Sequence, residues 1–174
     1  MPNSERRHTI AVLVDNEPGV LARVIGLFAG RGYNIESLTV SEIDAVKGYS
    51  RITIVTSGTD MVIEQIKALL DRLVPVHMVE DLTIQGPCLE RELALVKVVN
   101  SGESRIEALR IADMFRAHAI DSTLDSFVFE LTGSPQKLNA FIELMAGLGE
   151  TEITRGGVVA IARGNTVGLK TSPY

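Results

Sequence analysis

The residues best placed to do chemistry lie early in the chain, in Asp15-Asn16-Glu17-Pro18-Gly19, with a second asparagine, Asn34, further on. The stretch contains no histidine, cysteine or serine, so it offers neither a nucleophile nor the usual general base. What it can do is bind. With Pro18 opening a helix, the N–H groups of Gly19, Val20 and Leu21 are the first free donors, and the positive end of the helix dipole lies behind them. Gly19 has no side chain to bar a close approach, which suits a small anion such as a carboxylate. Asn16 can donate to that carboxylate or accept from an ammonium. Asp15 and Glu17 balance an ammonium if they turn inward, and Val20 and Leu21 offer aliphatic wall. Carboxylate, ammonium and a small apolar side chain describe an aliphatic α-amino acid, whose side-chain burial is worth roughly 1.5–3 kcal/mol. A structural reading of the same residues competes: Asn16 caps the helix, Pro18 starts it and Gly19 packs on a sheet. Asn34, after a glycine turn, is also ordinary turn chemistry.

The other reactive residues point nowhere. His8, His77 and His118 fall in three separate elements and lack the spacing of metal ligands. Paired carboxylates at a spacing suited to acid–base work are missing. A small phosphatase using the same first loop would need an arginine there, whereas Arg23 lies a turn into the helix. Cys88, the single cysteine, sits in the connector "QGPCLERE" without a base nearby and fits a reducing compartment. An enzyme is therefore not expected.

Composition sets the remaining bounds. The net charge of −5 is shared almost evenly between the two halves, and no basic stripe exists to follow a nucleic-acid backbone. Apolar residues make up 45% but aromatic residues only 5%, so the core must be aliphatic. No apolar run approaches the ~18–20 residues that span a bilayer. The start "MPNSERRHTI" lacks the apolar stretch of a secretory signal. The expectation is a cytoplasmic protein with neither membrane nor nucleic acid as partner.

The elements that must position the loop follow from periodicity. "HTIAVLVD" reads as a buried strand stopped by Asp15-Asn16. A helix with Val20, Leu21, Val24, Ile25 and Phe28 at helical spacing follows and ends at "AGRG". "YNIESLTVSEI" and "GYSRITIVTSG" are strands joined by the turn "DAVKG". "TDMVIEQIKALLDRLV" is a second amphipathic helix and "VHMVEDLTI" a fourth strand. The order β-α-β-β-α-β is that of the ferredoxin-like unit. After "QGPCLER" it recurs: "ELALVKVV", a helix containing Ile106, Leu109, Met114 and Phe115, "IDSTLDS", "FVFELTG", a Ser134-capped helix with Pro135 at its first position, and "EITRGGVVAIARG" as closing strand. The fold class is α+β, two tandem ferredoxin-like domains, expected at 7–85 and 90–164 with a tail at 165–174. The second unit has no counterpart of Asn16-Glu17-Pro18-Gly19, so a ligand site should belong to the first. An open sheet with helices on one face favours pairing with a second copy, and a ligand touching both copies would bias their arrangement.

These residues carry a resemblance. "DNEPGVLARVIGLFAGRGYNIESLTV" is similar to the N-terminal ACT domain of the acetolactate synthase small-subunit family, and "RITIVTSG", "LVPVHMVEDLT", "ERELALVKV" and "RGGVVAIARG" extend the likeness over nearly the whole chain. The resemblance implies a non-catalytic homodimer that activates a separate large catalytic subunit and confers feedback inhibition by valine in branched-chain amino-acid biosynthesis. That large subunit would carry thiamine diphosphate, Mg²⁺ and FAD; no cofactor or metal is implied for this chain. The family's effector positions fall on Asn16, Gly19 and, from the other protomer, Asn34. Asp15, Pro18, Val20, Leu21 and Ile35 are candidates by adjacency. The alternative is a free-standing tandem ACT sensor that regulates another enzyme or a transcription factor.

Overall fold

The computed structural model describes residues 4–165, 167 and 168. The first three residues of the start read above, and residue 166 and 169–174 of the expected tail, lie outside the described residues. The chain divides into two compact units, one built from the residues up to Leu89 together with those from Val158 onward, the other from Glu90–Gly157.

In the first unit, β1 (Arg6–Asp15) leads into α1 (Val20–Arg31), β2 (Ser37–Asp44), β3 (Tyr49–Gly58), α2 (Asp60–Asp71) and β4 (Val76–Asp81). The strands form an antiparallel sheet in the order β2-β3-β1-β4. Strand side chains alternate between faces. Ile10, Val12 and Val14 of β1 therefore point one way, with Ile52 and Ile54 of β3, into a core completed by Val20, Val24, Phe28, Ile63, Ile66 and Leu70 of the helices. Only part of α1's apolar stripe is buried. Val20, Val24 and Phe28 face the sheet, whereas Leu21 and Ile25 are each 38% exposed.

Local chemistry sets the ends of these elements. α1 stops at Gly32, whose φ of +70° suits glycine and whose N–H returns to the carbonyls of Phe28 and Ala29. α2 is capped by Thr59, which accepts from the Val62 N–H. In the β2–β3 turn, Asp44 Oδ1 accepts from the N–H groups of Val46 and Lys47.

The second unit repeats the order: β5 (Cys88–Val99, its first two residues belonging to the first unit), α3 (Glu103–Phe115), β6 (His118–Ser122), β7 (Ser126–Gly133), α4 (Pro135–Ala146) and β8 (Glu150–Arg155). Its sheet order, β6-β7-β5-β8, matches the first by position in the repeat. Phe127, Phe129 and Phe141 centre its core with Val96, Val98, Leu131, Leu138 and Met145. Ser134 caps α4 with Pro135 in the first turn, as the sequence suggests. α3 turns Ala108, Ile111 and Ala112 inward, while Ile106, Leu109 and Met114 stay exposed, so its inner stripe is narrower and smaller than its apolar residues imply.

The segment expected to close the second unit as one strand is two. β8 ends at Arg155, and Gly157, at φ +84°, turns the chain into β9 (Val159–Ala162). β9 pairs β5, as β8 does, so both pieces of the expected closing strand lie along the same strand, while the second compact unit itself spans Glu90–Gly157 and β9 groups with the first. There Ala160 packs with Ala11, Leu13 and Leu82 on the sheet face opposite the helices. The Arg163 N–H donates to the Pro87 carbonyl at 2.9 Å. The physical reason is burial: Ala11 and Leu13 are apolar on that face and need a cover.

Candidate functional site

The loop between β1 and α1 is held at three points. The Asp15 N–H donates to the Pro75 carbonyl at 2.9 Å, the Asn16 N–H to the Gly48 carbonyl at 2.6 Å, and the Asn16 side-chain nitrogen to Glu42 Oε1 at 3.2 Å. Asn16 is thus fixed by the β2–β3 hairpin rather than by the helix it precedes. The capping role considered for it does not occur: the residue at the helix N-cap is Gly19, and no side chain caps it. Pro18 sits one residue before that cap, not at the first helical position.

Gly19 has φ +87° and ψ −8°, a left-handed conformation that favours glycine. A methyl group built on it meets nothing within 4 Å, so the space beside it is open. The Val20 N–H is taken by the Glu17 carbonyl at 3.4 Å, and the Arg23 N–H reaches Gly19 in regular helical fashion at 3.0 Å. This removes Val20 from the expected donors and leaves those of Gly19 and Leu21. With its nitrogen on Glu42, Asn16 keeps its amide oxygen for a donor such as an ammonium.

The neighbouring candidates divide. Asp15 is half-buried and bonds through Oδ1 to His77 Nε2 at 2.6 Å; the imidazole in turn lies 4.8 Å from the Tyr49 ring. Asp15 therefore anchors the end of β1 against β4 and does not stand free as a counter-charge. Glu17 and Pro18 are exposed. Val20 is a core residue at 4% exposure and cannot line an open site, whereas Leu21 can. Ile35 packs against the core beneath α1. Glu42, Gly48 and His77 are the residues the sequence reading missed. Only the hairpin signal at Asp44–Gly48 hinted that this turn would meet the loop.

Asn34 is not brought to the loop within one chain. It follows the far end of α1, and a helix of that length, 12 residues, separates its ends by about 18 Å. Its carbonyl accepts from Thr56 Oγ1 at 2.6 Å, and its side chain is exposed. Among the described residues no three His, Cys, Asp or Glu side chains are grouped to hold a metal ion. Among those residues, too, no helix is long and apolar enough to cross a membrane.

Comparisons with known proteins bear on the chain as a whole. Residues 10–78 match the model of the AHAS small subunit-like ACT domain, and residues 91–164 that of the small subunit of acetolactate synthase. A probable acetolactate synthase small subunit of Archaeoglobus fulgidus is 47% identical over 159 residues, 91% of this chain and 98% of that protein. The isozyme 3 small subunit of Escherichia coli is 44% identical over 162 residues, 92% of this chain and 98% of its own. The crystal structure of the acetolactate synthase small subunit from Thermotoga maritima superposes with a TM-score of 0.83 at 39% identity, covering 92% of this chain and 99% of that one. By relatives of this similarity over almost their full length, the chain belongs to the acetolactate synthase small-subunit family.

Proposed function

We propose that this chain is the non-catalytic, cytoplasmic regulatory subunit of an acetolactate synthase, activating a large catalytic subunit and imposing feedback inhibition by valine. The observation that carries the effector part is the uncapped start of α1: Gly19 holds a left-handed backbone, no side chain fills the cap, and the space beside it is open. A carboxylate there meets the N–H groups of Gly19 and Leu21 and the helix dipole, while the Asn16 amide oxygen accepts from the ammonium. Leu21 supplies apolar wall. Thiamine diphosphate, Mg²⁺ and FAD belong, on this reading, to the catalytic subunit.

The same reading makes the active form a homodimer. Among the described residues the outer edge of β2 has no strand partner, and Val40 and Ile43 along it are 45% and 38% exposed. Such an edge is a template for another strand. Pairing two β2 edges antiparallel about a two-fold axis sets the start of one strand beside the end of the other. The loop adjoins the end of β2 through Glu42 and Gly48, and Asn34 precedes its start. The partner's Asn34 would thereby approach the Gly19 loop, which one chain cannot achieve alone.

Calorimetric titration of the purified chain with valine, with leucine, isoleucine and serine as comparisons, tests the effector reading. Titration into the cognate catalytic subunit with an acetolactate assay tests the regulatory one. Saturable binding that prefers valine, and valine-inhibited activation, are expected. Failure to activate that synthase, with binding intact, would favour a sensor serving another protein.

A further inference from the structure

When the chain leaves the second unit at Gly157 it is caught at once by β2. The Val158 N–H donates to Ser37 Oγ at 2.8 Å, and Thr39 Oγ1 donates to the Val158 carbonyl at 3.0 Å. Both backbone groups of one residue, 3% exposed, are thus held by two hydroxyls that alternation places on one face of one strand. Arg51 of β3 continues the series, donating to the Ala160 carbonyl at 2.7 Å. Backbone groups this deeply buried need partners, and here side chains standing up from a sheet face supply them, just ahead of and within β9, which also pairs β5.

The strand that makes the clasp is also the strand that follows Asn34. Little slack lies between them. The Asn34 carbonyl is bonded to Thr56 Oγ1, the Glu36 N–H donates to the Val55 carbonyl at 2.8 Å, and Ser37 already pairs with Val55. A force on Asn34 therefore moves β2 rather than being absorbed by a loose loop. On the other side of the clasp, Val158 is joined through Gly157 to the end of β8 in the second unit.

We propose that Ser37 and Thr39 are positioning residues for regulation, forming the clasp that passes the occupancy of the effector site to the second unit. The proposal rests on the effector reading above and deepens it. An amino acid that orders Asn34 at the seam biases β2. Through the two hydroxyls, β2 sets where Val158 lies, and Val158 fixes one of the two covalent leads into the second unit. Because coupling is reciprocal, whatever binds the second unit changes effector affinity through the same two bonds.

The test compares Ser37→Ala, Thr39→Val and their double variant with wild type, each as full chain reconstituted with the cognate catalytic subunit. Valine binding to the regulatory subunit alone should stay within about twofold, and activation of the synthase should persist. The ratio of uninhibited to valine-saturated activity should fall about fivefold or more in the double variant, the lower end of ordinary allosteric couplings. Each single variant should show part of that loss, and Ser37→Thr, which keeps a hydroxyl, should restore it. Hydrogen exchange at the Val158 amide reports whether the clasp opened. Full inhibition with that amide deprotected would overturn the proposal. So would loss of valine binding in the variants, since the hydroxyls would then belong to the site itself. Should the double variant fail to fold, the single variants decide by the same criteria. A wild-type chain that neither binds valine nor transmits it would sink the effector reading first, and the clasp with it.

Discussion

Substituting Gly19 with aspartate, asparagine and alanine separates what its backbone does from what the open space beside it does. At φ +87° an ordinary side chain is strained, and alanine in the left-handed region costs about 1–2 kcal/mol. Nothing lies within 4 Å of the added carbon, so no clash adds to that cost. Asparagine and aspartate visit this conformation more readily. Aspartate also gains about 0.3–1 kcal/mol from the helix dipole, which offsets part of the strain. Gly19→Asp should therefore melt at or above the temperature of Gly19→Ala. Binding should rank the other way. A carboxylate about 4 Å from a bound carboxylate repels it by about 1 kcal/mol in water and about 4 kcal/mol at a partly shielded surface. At about 1.4 kcal/mol per decade, affinity falls roughly 5- to 700-fold. Gly19→Asn, of the same shape without the charge, should fall much less. Thermal melts and calorimetric valine titrations of all three variants decide the matter. Valine binding to Gly19→Asp within twofold of wild type, or equal losses in Gly19→Asp and Gly19→Asn, would refute an anion site at this helix start.

Three further outcomes are expected. Gly149→Ala should be severely destabilising, by about 3 kcal/mol or more in denaturant titration, because the new methyl overlaps the Val99 carbonyl oxygen and stands 3.2 Å from Asn100 Cβ, and backbone cannot give way as a side chain can. Arg155→Met should cost about 1.5–3 kcal/mol, since Glu92, 5% exposed, loses its bonds from Arg155 at 2.9 and 2.6 Å; adding Glu92→Gln should recover part of the loss. Glu152→Gln should slightly flatten the pH dependence of the melting temperature. Its hydrogen bond and charge interaction with Lys97 hold the Glu152 carboxyl below its ordinary range and raise Lys97. The depressed carboxyl contributes stability that is present above about pH 4 and lost as pH falls through its folded value, and the raised amine loses its share as pH climbs past about 10. Both groups are exposed, so the effect should be small and vanish in high salt.

The arrangement of elements was legible because it is written in local signals. Thr59 and Ser134 announce their helices, Gly32 ends one, and the run of Ile10, Val12 and Val14 alternates as a strand must. The hidden parts depend on partners distant in sequence. "VVAIA" alternates buried Val158 and Ala160 with exposed Val159 and Ile161, a pattern that fits the edge of either sheet. Its pairing with β5 and the apolar face left by Ala11 and Leu13 together decide where it goes. Likewise, that Asn16 answers to Glu42 and Gly48 instead of its own helix follows from the register of the β2–β3 hairpin. The burial of Val20 against the exposure of Leu21 turns on a helix rotation that a wide apolar stripe does not specify.

The return of the chain after Gly157 also has a consequence for biosynthesis. The second unit is an insert within the first, so Val158 and Ala160 leave the ribosome only after the whole of the second unit. Until they arrive, Ser37, Thr39 and Arg51 lack acceptors and donors for their outward groups, and Ala11, Leu13 and Leu82 lack their cover. The first unit can acquire its helix-side core early, yet it completes its other face only after the second has been synthesised. A nascent chain paused between Leu89 and Val158 therefore carries that apolar sheet face uncovered. In this molecule, the order of translation makes the first domain the last to be finished.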